Sequence, residues 1–449
     1  MTVSHPDPAE LARFARGNLA SPENRRIVRD LLATWRTGRS EIEPACSGGG
    51  GAVAGEVPAP AGSELAPGLA GLLERARQLA RDRERVPELR GRLDAVSRER
   101  RRSVLRSDPA FRSWAFCEWL IEECHALTDS DATRAEDLAD FAVAVAEGLD
   151  LWEHGEPLIN DLKARSWCAV GEVLRVLSDL RSSDEAFEVA ESFIGEGTGD
   201  ALEEARLLEL KAALRRDQQR LREAHRLLDE VIAIYRQYRD FHLVGRGFVQ
   251  KGRVCAAGND LEAAVRWLRK GLGLLDPARE RHLELAARHS LMLYLHESGH
   301  LEEAWFLLKA SRPEFREHGG ELLNLRLRWL EGKLLHALGD LGEAEKALTE
   351  ARAGFIAQGI GWSAASVSLD LAGLYAGQQR PAEMRSLAEE MLPIFQSRDL
   401  HREAIAALLV FQQAVRMEKL STGLLEEIRA YLKRARKDYK LRFESSLDG

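Results

Sequence analysis

Residues 339–351 read GDLGEAEKALTEA, a helical stretch with alanines at Ala344 and Ala351 where a packed helix usually carries Leu or Phe. The reason lies forty residues upstream. Aligning RLREAHRLL, DLEAAVRWL, HLEEAWFLL and DLGEAEKAL places Ala224, Ala264, Ala304 and Ala344 in one column. Leu221, Leu261, Leu301 and Leu341 stand three before it, and Leu228, Leu268, Leu308 and Leu348 four after. Ala212, Gly252, Met292 and Gly332 stand twelve before it, and Ala372, Met384 and Ala388 carry the frame into a fifth unit. A fixed period of this length predicts stacked helical units. Small side chains at Gly332 and Ala344 let the two helices of a unit approach, and the leucines fill the space toward the next unit. Gly299 and Gly339 end first helices, a common role for glycine.

These residues resemble the tetratricopeptide repeat. That motif carries a small residue at its eighth position, alanine at its twentieth and a large apolar residue at its twenty-fourth, here Gly332, Ala344 and Leu348. The usual unit has about 34 residues, so a forty-residue unit implies longer helices. The resemblance implies an all-α, right-handed superhelical solenoid of antiparallel helix pairs. It covers 203–392 strongly and extends to 110–200, where Ala135 and Ala186 mark second helices. LLEEIRAYLKRARKDYK, within a C-terminal region at 393–449, reads as the polar-faced cap that such a stack requires.

The rest of the chain divides by composition. Residues 43–67, EPACSGGGGAVAGEVPAPAGSELAP, are rich in Gly, Ala and Pro and read as a flexible linker. Before it, residues 1–42 hold two short helices, opened by Asp7-Pro8 and Ser21-Pro22. After it, 68–202 reads helical with divergent repeats. HPDPAELARFARGNLASPENRRIVRDLLATW resembles the zinc-finger domain of bacterial anti-sigma factors, with His5 at the first ligand place. Asp30, Trp35 and Gly38 stand where the other ligands belong. Zinc needs about four N or S donors, so no metal is expected. The likeness implies a sigma factor as partner and a link to transcription.

Of the 449 residues, 45% are apolar and 30% charged, with a net charge of −8, which argues against a bulk nucleic-acid binder. Five scattered cysteines without CxxC spacing imply neither a disulfide framework nor a zinc ribbon. The N-terminus lacks a signal peptide's basic start and apolar core, and no apolar run approaches the ~20 residues of a membrane span. A cytoplasmic setting without membrane attachment is expected.

Ligands of helical solenoids usually sit on the face lined by first helices. Transferring the family's inward positions gives Arg206, Glu209, Arg216, Arg246, Arg253, His289, His296, Arg326, Trp329, Lys333 and His336. This mostly basic set implies a groove for an acidic peptide or protein segment, since Arg pairs bidentately with carboxylates. The bland alternative is ordinary solvated charge. The three histidines lack carboxylate or cysteine partners at ligand spacing. GEGTGD (195–200) follows a helix and lacks the Lys-Ser/Thr of a phosphate loop, so it reads as a plain connection. The basic run 75–106 is interleaved with Asp and Glu and reads as a solvated helix pair. No catalytic motif has local support, and no cofactor is expected. The expected function is a non-catalytic interaction scaffold or regulator, the alternative a solenoid sensing a small molecule or signalling peptide.

Overall fold

The computed structural model describes residues 67–128, 131–391, 394, 402–416, 422–435 and 441–443. The two-helix reading of 1–42 with its anti-sigma likeness, Cys46, and the expected linker up to Ala66 lie outside them, while Pro67, the linker's last residue, opens a helix. Among the described residues there are nineteen α-helices and no strand. The chain divides into two compact units, Met1–Leu214 and Arg215–Gly449.

The first unit contains α1 (Pro67–Asp94), α2 (Arg98–Ser107), α3 (Trp114–Leu127), α4 (Ala132–Glu147), the single turn α5 (Leu151–His154), α6 (Glu156–Val176) and α7 (Leu180–Gly195). Ala201–Asp217 forms α8, within which the division falls. The basic run behaves as a solvated surface. Arg98, Arg102 and Arg106 follow one face of α2 and meet Asp137, Asp140 and Glu147 of α4 at 2.7, 3.6 and 3.5 Å.

The second unit repeats a hairpin of fixed length: α9 (Leu221–Gln237), α10 (Phe241–Ala257), α11 (Leu261–Leu272), α12 (Arg281–Glu297), α13 (Leu301–His318), α14 (Gly320–Leu338), α15 (Leu341–Ala357), α16 (Gly361–Gly377) and α17 (Pro381–Glu389). Two further helices, α18 (Arg402–Arg416) and α19 (Thr422–Ala435), complete it.

The turn that ends each first helix is one motif repeated. Gln219, Asn259, Gly299, Gly339 and Gln379 all have left-handed backbone, with φ between 56° and 88°. The following N–H bonds back five residues, from Arg220 to Arg215, Asp260 to Cys255, His300 to Leu295, Asp340 to Leu335 and Arg380 to Tyr375. This is the Schellman arrangement, which satisfies carbonyls orphaned at a helix end. Asp260 and Asp340 then cap the second helices, their carboxylates accepting the N–H of Ala263 and Glu343.

The small residues do what the repeat predicts, with one correction. Ala224, Ala264, Ala304 and Ala344 are fully buried, as are Leu228, Leu268, Leu308 and Leu348. The leucines, however, do not only reach toward the next unit. A Cβ on Gly332 would lie 2.7 Å from Leu348 Cγ, and one on Gly252 would lie 2.9 Å from Leu268 Cγ. The glycine is thus the seat of its own hairpin's leucine. Burying such a side chain stabilises by about 1.5–3 kcal/mol. In the first unit a Cβ on Gly171 would lie 2.5 Å from the Phe187 ring, and Ser183 Oγ donates to the Gly171 carbonyl at 2.7 Å. Ala135 and Ala186 do lie in second helices, but Ser183 fills the alanine column of α7 and Phe187 replaces the leucine.

GEGTGD is a connection, as read. The Asp161 carboxylate of α6 accepts the N–H and hydroxyl of Thr198, so the loop's donors serve an internal acid. Burial raises the Asp161 carboxyl to about 6 against those bonds.

Candidate functional site

First helices of the second unit form a row, and neighbouring members are joined by polar side chains. From α12, His289 Nε2 lies 3.3 Å from the Arg326 carbonyl of α14. One helix further, Trp329 Nε1 of α14 donates to Asp370 Oδ2 of α16 at 2.7 Å. The last helix, α19, joins the row: Arg429 Nη2 donates to the Leu369 carbonyl at 2.6 Å and lies 3.5 Å from Asp370 Oδ1. Finally, Lys433 Nζ of α19 meets Glu297 Oε1 of α12 at 3.1 Å. The row therefore curls until α19 touches α12, past α14 and α16, through one side chain each.

Within this curl the expected residues separate into three groups. Arg216, Arg253 and Glu297 all act on the Tyr294 hydroxyl, which burial pushes up and the two arginines pull back. His296 lies among Lys333, Glu297 and Asp370, and burial followed by Lys333 holds it below its ordinary range. Lys333 Nζ stands 5.9 Å from the centroid of the Trp329 ring, a cation–π pair. Arg326 and Lys333 also act on His289, which burial lowers to about 4. Arg216 is itself bound by Asp217 at 2.9 and 3.1 Å, so this region sets four cations, Arg216, Arg253, Arg326 and Lys333, against the carboxylates of Asp217, Glu297 and Asp370.

Arg246 is engaged elsewhere, donating to Glu280 at 3.2 Å and to the Tyr235 hydroxyl at 3.2 Å. His336 stands exposed at the end of α14. Arg206 and Glu209 belong to the first unit, where Arg206 Nη2 lies 2.8 Å from His125 Nε2 and Glu209 is buried. Burial lowers His125 to about 4, with Arg206 and Arg165 adding to the effect. His289 and His296 of α12 serve the joint with α14. Among the described residues no group of His, Cys, Asp and Glu is arranged to hold a metal ion.

Tyr294, Glu297, Asp370, Arg429 and Lys433 were not marked by the repeat frame. One signal was available: Asp370 is the lone charged residue of GWSAASVSLDLAGLYAG. A separate cleft of about 480 Å³ is lined by Arg312, Arg328, Glu331 and Glu350 among others. Ion pairs fill its chemistry: Glu331 takes Arg312 and, at 2.7 Å, Arg328, which reaches Glu350 at 2.8 Å.

No family model matches the chain, and no curated protein matches it. Solved structures do. A Rap protein complexed with competence and sporulation factor aligns with a TM-score of 0.51 at 13% identity, covering 71% of this chain and 87% of that one. A signal-transduction ATPase with a tetratricopeptide repeat sensor, from Pyrococcus horikoshii, aligns at 0.45 and 15% identity over 74% of this chain and 53% of its own. A kinesin light chain-like protein from Podospora anserina, with nearly identical repeats, aligns at 0.32 and 17% identity over 45% of this chain and 96% of its own. The fold is therefore an all-α stack of helix pairs of the tetratricopeptide type. Among the described residues no helix is long and apolar enough to cross a membrane.

Proposed function

We propose that the protein is a non-catalytic scaffold or regulator that captures an acidic peptide, or an acidic segment of a partner protein, on the first-helix row of its second unit. The observation carrying this reading is the placing of Arg253 beside Tyr294 and of Lys333 beside the Trp329 ring, His296 and His289, with Arg326 also at His289. A curled row of helices offers an extended ligand backbone a continuous wall, and fixed cations select carboxylates along it. The similar fold of a Rap protein solved with competence and sporulation factor supports a binding scaffold or regulator, and the acidic character of the ligand rests on the cations alone.

The test is fluorescence anisotropy of a labelled hexaglutamate peptide against the full chain, with hexalysine as control. Arg253→Glu with Lys333→Glu should weaken hexaglutamate binding about tenfold or more while leaving the helical circular dichroism unchanged. Unchanged affinity sinks the assignment. The sigma-factor link rests on the likeness of residues 1–42 alone; loss of a captured sigma factor on deleting residues 1–66 is its test.

A further inference from the structure

Glu297 occupies an odd place in a cationic face. It acts on Tyr294 together with Arg216 and Arg253, and on His296 together with Lys333. Of the carboxylates there, Asp217 is taken by Arg216 at 2.9 and 3.1 Å and Asp370 by Trp329 and Arg429, whereas Glu297 is met by an exposed lysine, where an acidic ligand would put its own carboxylate. Its ion-pair partner comes from the far end of the unit. Arg429 and Lys433 lie four residues apart, on one face of α19, but they are held differently. Arg429 is three-quarters enclosed and bonded to the α16 backbone, whereas Lys433 remains 77% exposed and its Glu297 partner only 25% exposed. An exposed lysine pair of this kind is weak and screened by salt.

We propose that Glu297 is an internal stand-in for the ligand's carboxylate and that its pair with Lys433 is the gate of the face. An acidic ligand takes Lys433 from Glu297, so the lysine changes from latch to part of the recognition set. Arg429 stays fixed and holds α19 in place while Lys433 swings. This inference rests on the acidic-ligand reading above and adds its regulation.

The experiment uses the full chain and labelled hexaglutamate. Glu297→Gln should bind about three- to tenfold tighter than wild type, because the internal competitor is gone. Glu302→Gln, an exposed carboxylate on α13, makes the same change in net charge and should leave affinity unaltered. Lys433→Gln should weaken binding, and more strongly in the Glu297→Gln background, where the lysine is already free. That coupling is what a double-mutant cycle reads, and long-range charge effects would be additive.

The outcomes separate cleanly. Additive effects, or equal gains from Glu302→Gln and Glu297→Gln, overturn the gate. If Arg253→Glu with Lys333→Glu abolishes binding but the Glu297 and Lys433 variants are neutral, the gate alone falls. If hexaglutamate binds none of the proteins, the acidic-ligand reading falls and the gate with it.

Discussion

The Cα of Gly332 faces Leu348 so closely that a Cβ there would meet the leucine Cγ at 2.7 Å and its Cδ2 at 2.8 Å. Leu348 is itself fully buried and has nowhere to retreat. Gly332→Ala should therefore destabilise the second unit by about 1–3 kcal/mol through overpacking. Gly342→Ala is the control, since a Cβ there meets nothing within 4 Å. It should stabilise by about 0.5–1 kcal/mol by restricting the unfolded chain. Chemical denaturation of both variants decides it, and a neutral Gly332→Ala would refute the close-packed hairpin.

The repeated turn makes a second prediction. Gln219, Asn259 and Gln379 hold the left-handed conformation that Gly299 and Gly339 adopt without cost. Gln219→Gly and Gln379→Gly should each stabilise by roughly 0.5–1 kcal/mol, because a Cβ penalises this region. Asn259→Gly should gain less, since Asn tolerates it better. Loss of stability in the glutamine variants would show that their side chains, not their backbones, matter.

Acid sensitivity follows from two buried imidazoles. His125 and His289 are both lowered to about 4 from 6.5, chiefly by burial. A base depressed in the folded state takes its proton first in the unfolded state. Its contribution to stability is therefore intact above pH 6.5 and lost as pH falls toward 4. At about 1.4 kcal/mol per pKa unit, each can remove roughly 3 kcal/mol. Asp161 acts in the opposite sense, its stabilising effect being lost as pH rises from 3.8 through about 6. Urea unfolding at pH 7.5 and 4.5 should show the second unit weakened at the lower pH, and His289→Gln should reduce that difference. A pH-independent His289 contribution would refute the burial assigned to it.

Arg352 offers a test of the end of the stack. It is buried, donating to Ser368 Oγ at 2.9 Å, Glu390 Oε2 at 2.9 Å and the Glu390 carbonyl at 3.0 Å. Arg352→Ala removes these three bonds and the packing of the buried side chain and should cost about 1–3 kcal/mol. Because Glu390 follows α17, the loss should appear first as faster proteolysis around 378–391, with the core near Gly252 still protected. Unaltered proteolysis would argue that α17 is held without this arginine.

The stack was legible because its grammar is local. A small residue, a leucine and a helix-ending glycine recur in a frame that any one hairpin must satisfy. In α7 the frame was harder to see because Ser183 and Phe187 meet the same spatial need with other residue types. The cationic face was only partly legible. Arg253, Lys333 and Trp329 follow the frame, whereas Arg246 does too and is claimed by Glu280 and Tyr235. Glu297, Arg429 and Lys433 broke no local rule, since their meeting depends on how strongly the row curls, and no periodicity encodes that.

Lys433 and Glu297 are separated by 136 positions, with six described helices, α13 to α18, between theirs. Most hairpin contacts can form as soon as their own forty residues leave the ribosome. This pair cannot, because it requires every intervening helix to be stacked in place. Closing so long a loop carries its entropy late and gains little locally. The pair is consequently a timestamp: a chain in which Lys433 has found Glu297 has stacked α12 to α19.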